Sequence, residues 1–423
     1  MLLEFKVSNF KSIHHPATLS LVAGTEKDQT ETNTLPTGLT SLPRALRVGA
    51  LYGGNAAGKS NLLKALEFMR FFVLSSANAT QEGQPILVDA YAFDPAAKQE
   101  PTEFEVQFIE DGIRFEYGFT LNRTRVLEEW LNSSPKGRVS KWFHRLFRAE
   151  TQDYAYEFGS YFQGQRQVWE KSTRTNALFL STAIQLNNEQ MRPVFTWFQK
   201  RLAVVTNTGM LPEELGMQLV ESGKSKEFML SLMRSADPSI EDLRVVVRVV
   251  DEKAVPGRLK LKLKIIFNGP VPPEAAKEIE VTHKDSKGSG HTVLRLDEES
   301  QGTQRLFALG FPWFNALSEG RVLFVDELDA SLHPLMTEAL IKLFQAPEFA
   351  DSKAQVFFTT HDTSLMSADL LRRDQIWFAE KDQDNSTRLY PLTDYSPRKS
   401  EALERGYLRG RFGALPKIEA WVP

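Results

Sequence analysis

The chain has no cysteine among its 423 residues. Disulfides, thiol nucleophiles and thiolate metal sites are therefore excluded, and a reducing compartment, most simply the bacterial cytoplasm, is expected. There is also no run of ~18 consecutive apolar residues of the kind a spanning helix needs, and the opening Met1-Leu2-Leu3-Glu4-Phe5-Lys6 lacks a basic region followed by an apolar one. No membrane partner is expected. Neither sign of charge dominates: 51 Lys and Arg stand against 54 Asp and Glu, a net charge of −3. This excludes a globally basic nucleic-acid coat but leaves room for local basic patches. Internal repeats and long heptad runs are missing. The seven histidines, at 14, 15, 144, 283, 291, 333 and 361, show no metal-cluster spacing.

What remains is a globular composition, 42% hydrophobic and 25% charged, on a chain long enough for about three average domains. Leu3-Glu4-Phe5-Lys6-Val7 alternates at period two and predicts a strand with one buried face. Phe104, Val106 and Phe108 alternate before Asp111-Gly112, and Phe115, Tyr117 and Phe119 alternate after it, which predicts a hairpin. A β-meander is expected over 141–169 and helix over 178–202. Two strands, 243–250 and 258–267, are expected around Pro256-Gly257. Val322-Leu323-Phe324-Val325 and Val356-Phe357-Phe358 are short, continuous apolar runs, as in parallel strands buried on both faces, with a helical pattern between them. The expected divisions are 1–175 and 295–395 as the two parts of one head, the first with a β-rich subdomain. Residues 176–294 form a helical and α+β insertion between them, and 396–423 a tail.

The chemistry is carried by Gly53-Gly54-Asn55-Ala56-Ala57-Gly58-Lys59-Ser60, which fits G-x-x-x-x-G-K-[ST] between an apolar strand and an amphipathic helix. Glycines let consecutive N–H groups turn toward a phosphate, with the positive end of the helix dipole behind them. Lys59 is placed to reach β/γ-phosphates, and the Ser60 hydroxyl to ligate Mg²⁺. The strand 322–325 delivers Asp326 to its C-terminal edge, where a carboxylate can hold the Mg²⁺ shell, and Glu327 is placed to polarise water. ATP and Mg²⁺ are thus the expected cofactors. Lys59 and Asp326 lie more than half the chain apart, so most of the intervening sequence must be inserted. Ser300-Gln301-Gly302-Thr303-Gln304 opens a helical segment and offers a second anion site for a γ-phosphate held by another copy, or an ordinary serine N-cap. His361, in Thr359-Thr360-His361-Asp362 after a buried strand, can bond a γ-phosphate and orient water.

Asn9-Phe10-Lys11-Ser12-Ile13 resembles the N-terminal strand motif of the SMC/RecF/OLD branch of ABC-type ATPases, and Asn55 with Ser60-Asn61 matches their phosphate loop. The run from Asp326 to Pro334 resembles the Walker B and D-loop of OLD-like proteins. Residues 404–413 are similar to the tail of RloA/AbiL-type ATPases of bacterial defence loci. Ala56 departs from a common glycine, and Gln301-Gly302-Thr303 from a double-glycine signature. The resemblance implies a P-loop NTPase head of ABC/SMC type, mixed β-sheet with flanking helices, carrying an α+β insertion and no long coiled coil. It implies ATP contacts by Lys11, Gly53, Asn55, Gly58, Lys59, Ser60 and Asn61. It further implies a homodimer or higher even oligomer with ATP between heads, where Ser300, Gly302 and the D-loop Asp329 of one head serve the ATP of the other. A sensor or switch of an anti-phage, abortive-infection-type defence system, controlling a separately encoded effector such as a nuclease, is the expected role. A RecF-like repair ATPase gripping duplex DNA is the alternative.

Arg258, Lys260, Lys262 and Lys264 line one face of an expected strand, with Arg244 and Arg248 nearby. They suit either a phosphate-backbone track or salt pairing with Glu278 and Glu280 across the sheet. Gln107, mid-strand, is a poor Q-loop residue. Asp382-Gln383-Asp384 sits in a polar turn, too near the end of the chain for a Toprim nuclease. The basic tail, Arg398 to Lys417, suits a partner, DNA or packing on the head.

Overall fold

The structure is a computed structural model and describes residues 1–207, 209, 211–249, 275–285, 290–398 and 402–416. The strand expected over 258–267, its Pro256-Gly257 turn, the cations Arg258, Lys260, Lys262 and Lys264, and Lys417 lie outside the described residues.

In chain order the strands are β1 (Leu2–Ser8), β2 (Ala17–Ser20), β3 (Thr34–Pro36), β4 (Arg44–Leu46), β5 (Val48–Tyr52) and β6 (Thr102–Glu110). They continue with β7 (Ile113–Leu121), β8 (Val126–Ser134), β9 (Ser140–Arg148), β10 (Asp153–Phe158), β11 (Leu202–Val205) and β12 (Ile240–Val249). The last are β13 (Ala275–Lys284), β14 (His291–Arg295), β15 (Val322–Val325), β16 (Gln355–Thr359), β17 (Ile376–Lys381) and β18 (Thr387–Pro391). The main helices are α1 (Lys59–Ser75), α2 (Phe179–Gln185), α3 (Glu213–Val220), α4 (Gly223–Ala236), α5 (Gln301–Glu319), α6 (Pro334–Gln345) and α7 (Leu403–Leu408). Two compact units result: Met1–Thr206 with Asn315–Ala330 and Thr337–Pro423, and Asn207–Phe314 with Ser331–Met336.

The first unit holds two large sheets. One is six-stranded, in the order β11-β15-β16-β5-β17-β18, and parallel apart from the antiparallel edge strand β18. Every residue of β5, β15 and β16 is buried, which is why these strands read as unbroken apolar runs. The other sheet is antiparallel, in the order β10-β9-β8-β7-β6-β1-β2. Its β6–β7 hairpin turns at Asp111 and Gly112, both left-handed at φ 51° and 74°, the pairing a two-residue turn requires. Helix α1 shares one core with both sheets: Leu62, Leu63, Leu66, Met69, Phe72 and Val73 cluster with Phe104, Phe108 and Phe119 and with Phe324 and Phe357. Burying each such large side chain contributes about 1.5–3 kcal/mol.

The expected hairpin over 104–119 and the expected parallel strands at 322–325 and 356–358 are present, while two segments differ from expectation. The meander stops at β10, and Arg166–Ser172 is helical, with Trp169 packed edge-on against Phe162 at 6.0 Å; the loop between Gly159 and the left-handed Gly164 ends the alternation. Residues 178–202 are not one helix, because Asn187 at φ 63° ends α2 and a new start follows at Arg192–Thr196. The tail packs on the head: Tyr407 and Phe412 are buried, with rings 5.4 and 6.1 Å from Phe378. Gln107 lies within β6, its Oε1 accepting from Arg114. The turn between β17 and β18 is closed by Asp382 Oδ1, which accepts from the N–H groups of Asp384 and Ser386.

The second unit holds α3, α4 and α5 as far as Phe314, together with the sheet β12-β13-β14. Arg244 stands opposite Glu280 in the β12–β13 register and donates to Asp242 at 2.9 Å, so this cation is salt-paired. Among the described residues the longest helix has 19 residues and no helix is long and apolar enough to cross a membrane.

A buried ion pair anchors the antiparallel sheet to α2. Glu129, fully buried on β8, accepts from the N–H groups of Phe179 (2.6 Å) and Leu180 (3.0 Å) and from Tyr117 Oη (3.0 Å), with Arg145 3.6 Å away. Burial raises its pKa and the Arg145 charge opposes the rise. Removing one partner strands the other in an apolar core, so Glu129→Ala should lower the unfolding free energy by about 3–5 kcal/mol. Urea denaturation checks this, and a loss below about 1 kcal/mol would contradict it.

Candidate functional site

Strand β5 runs at the centre of the parallel sheet, between β16 and β17, and its carboxyl end opens into Gly53. The loop 53–58 then winds into α1, whose first residue is Lys59. Gly58 has φ 101°, a conformation that penalises any side chain, and a Cβ there would collide with the Thr387 hydroxyl. Ala56 adopts φ 62° despite its methyl group. The loop is held from outside by a chain of hydrogen bonds. Asn61 Nδ2 donates to Ser12 Oγ (2.7 Å), Ser12 Oγ is 2.8 Å from Thr387 Oγ1, and Thr387 Oγ1 donates to the Ala57 carbonyl (2.9 Å). Ser12 and Thr387 are both buried, and the Thr387 N–H also donates to the Ser12 carbonyl at 2.7 Å. The N-terminal motif thus braces the loop through Ser12. Its neighbour Lys11, which the resemblance singles out, pairs with Asp89 at 2.6 Å at the rim.

Lys59 is buried, and Nζ donates to the carbonyls of Gly53 (2.8 Å) and Gly54 (3.2 Å) and stands 3.1 Å from His361 Nε2. Burial lowers its pKa, against the opposing charges of Asp326, Glu327 and Asp329. Those carboxylates follow β15. Asp326, 8% exposed, accepts from Thr359 Oγ1 at 2.6 Å, and the same oxygen accepts the Glu327 N–H at 2.7 Å. Glu327 is exposed and left-handed at φ 48°, which turns its side chain off the strand direction. The Asp329 carboxylate accepts the His361 N–H at 3.2 Å. Burial, and then the Lys59 charge, lower the His361 pKa below the usual value.

These elements converge on one cleft of about 1220 Å³. Lys11, Asn55, Gly58, Lys59, Ser60, Asn61, Glu327 and His361 line it, while Gly53, Asp326 and Asp329 lie outside its lining. Lys98, Arg123 and Lys381 line it as well, so five Lys or Arg face it against the carboxylates of Asp89 and Glu327, a balance suited to a polyanion. Phe93 also lines the cleft, with Lys381 Nζ 5.4 Å from its ring centre. No sequence pattern singles out the outer wall or the bracing roles of Thr359, Ser12 and Thr387. Only Thr359 and Ser12 lie inside motifs that could have drawn attention to them. Ser300 and Gly302 belong to the other unit, where Ser300 Oγ caps α5 by accepting the Thr303 N–H at 3.2 Å.

Residues 49–182 and 208–367 match the family described as "AAA domain, putative AbiEii toxin, Type IV TA system". The chain belongs to this family. Both halves of the cleft, the loop after β5 and the carboxylates after β15, fall inside the match, so this is an AAA ATPase domain. No curated protein sequence matches it. Among solved structures, the chain is similar to the SMC head domain of Thermotoga maritima at 12% identity, covering 92% of this chain and 98% of that one with a TM-score of 0.41. The SMC head of Pyrococcus furiosus with an extended coiled coil, bound to the C-terminal domain of ScpA, matches at 12% identity, 93% and 97% coverage and a TM-score of 0.41.

An anion beside His361 favours the imidazolium, so its binding takes up a proton. MgATP affinity should therefore rise as pH falls toward and below 6.5, by at most about tenfold per unit, and the profile should flatten in His361→Gln. Equilibrium binding between pH 8 and pH 6 tests this, with parallel profiles as the contrary result. Gly58→Ala should weaken MgATP binding at least about tenfold, since both strain and collision reshape the loop; unchanged affinity would contradict it.

Proposed function

We propose that the chain binds and hydrolyses ATP in this cleft, and that it works as the sensor or switch of a bacterial defence system, controlling a separate effector. The observation that carries the ATPase reading is the convergence of Lys59, Ser60, Glu327 and His361 on one cation-lined cleft, with Asp326 bonded at the end of β15.

In this reading the loop N–H groups, with Asn55, Gly53 and Gly58 shaping the turn, cradle the phosphates at the amino end of α1. Lys59 exchanges the Gly53 and Gly54 carbonyls for β/γ-phosphate oxygens. Ser60 and Asp326 supply hard oxygen donors suited to Mg²⁺, which when bound neutralises phosphate charge. Glu327, presented to the cleft by its turned backbone, accepts a hydrogen bond from the attacking water and aligns it. His361, beside Lys59, donates toward the γ-phosphate as charge develops. Lys11 and Asn61 hold the rim and the first turn of α1.

Hydrolysis at an interface between two heads follows from the resemblance of Ser300, Gly302 and Asp329 to signature and D-loop residues, each acting on the partner's ATP. The defence role is supported by the resemblance of residues 404–413 to tails of RloA/AbiL-type ATPases and by the family's description, which pairs an AAA domain with a toxin of a Type IV TA system.

Lys59→Ala should abolish MgATP binding, whereas Glu327→Gln should retain affinity within about twofold and lower kcat by about 10²–10⁴. Nucleotide titration and phosphate release measure both. Undiminished hydrolysis by either variant removes the assigned roles.

A further inference from the structure

The unit that carries Ser300 contains a buried histidine–carboxylate contact that the ATPase reading does not use. His283, near the end of β13, is 8% exposed, and its Nε2 lies 2.7 Å from Oε1 of Glu299, whose side chain is 6% exposed. On its other side, Nδ1 lies 2.9 Å from Ser239 Oγ and 3.6 Å from Asp237 Oδ2. Ser239 Oγ also donates to Asp237 Oδ1 at 2.7 Å, and the Ile240–His283 pair opens the β12–β13 register. The ring is thus set by the sheet ladder on one side and by the end of α4 on the other.

Glu299 immediately precedes Ser300, and it is gripped twice. Its carboxylate meets His283, and its carbonyl accepts from Gln304 Nε2 at 2.8 Å, across the first turn of α5. A buried polar contact of this kind is weak evidence for stability, because apolar side chains of similar volume commonly serve as well or better; what it supplies is a fixed direction. Here the direction is that of the Ser300–Gly302 turn. A misplacement of about 1 Å in a group that must meet a phosphate costs on the order of a hundredfold in rate.

We propose that His283 and Glu299 are positioning residues that aim the Ser300 hydroxyl and the Gly302 N–H at the γ-phosphate of a second head. This rests on the reading of Ser300 and Gly302 given above.

The test uses the full chain in two backgrounds: wild type for phosphate release, and Glu327→Gln for ATP-driven pairing followed by mass photometry. Fluorescent-nucleotide affinity and thermal melting are measured alongside. Ser300→Arg is the control for the signature itself. Glu299→Ala and the paired replacement His283→Leu with Glu299→Leu remove the positioning device, the second with an apolar pair that keeps the core filled. Both should lower kcat at least about tenfold and weaken pairing, with nucleotide affinity within twofold of wild type, and Glu299→Gln should recover most of the loss. Wild-type kcat and pairing in the Leu/Leu protein, while Ser300→Arg is impaired, would overturn the proposal and leave the signature reading standing. Wild-type behaviour of Ser300→Arg would overturn that reading and the proposal with it. A Leu/Leu protein that loses nucleotide affinity as much as kcat would show a general structural role and also overturn it. Should Glu299→Ala melt below the assay temperature, the Leu/Leu protein alone decides.

Discussion

One buried hydroxyl sets the geometry on which the cleft depends. Thr359 Oγ1 donates to the Asp326 carboxylate and accepts the Glu327 N–H, while the Thr359 carbonyl accepts the Leu328 N–H. Three consecutive residues after β15 are therefore tied to the last residue of β16. A hydroxyl can serve both as donor and as acceptor, which neither valine nor alanine could do at this fully buried position. Since His361 lies two residues beyond Thr359, the same contact sets the distance between the water-facing carboxylate and the histidine.

The opposite wall is built on the same logic. Ser12, Asn61 and Thr387 come from three distant parts of the chain and join in one run of hydrogen bonds that ends on the Ala57 carbonyl. A phosphate-binding loop must hold several N–H groups in strained directions, and Ala56 and Gly58 both adopt left-handed backbone. Such a loop keeps its shape only if its surroundings over-determine it. The run through Ser12 does this from the antiparallel sheet and β18 does it through Thr387, so the two sheets of the first unit share the work of shaping one turn. Buried Lys59 completes the arrangement by folding its ammonium onto the carbonyls of the loop it serves.

Much of this was legible beforehand because the physics involved is local. The strand–loop–helix around Lys59, the buried strands at Val322–Val325 and Gln355–Thr359, and the β6–β7 hairpin each follow from a period or a turn carried by fewer than about twenty neighbouring residues. The break at Asn187 and the helix at Arg166–Ser172 were not legible, since a left-handed asparagine and a short glycine-bounded loop carry no period of their own. Ser12 and Thr387 were missed for a related reason: a serine or threonine carries no pattern, and its role exists only through the atom it meets.

By itself, then, the amino-acid order determined the chemical inventory: an anion loop, an acidic pair at a buried strand end, a histidine after another strand, and no cysteine. Those are properties of residue type and spacing, and they survive without coordinates. Only the tertiary structure decided that Lys59, Glu327 and His361 share one cleft, that Thr359 registers its two acidic residues, and that the basic tail lies on the head through Tyr407 and Phe412. Contacts between segments hundreds of residues apart depend on how sheets close around a common core, and no local propensity encodes that.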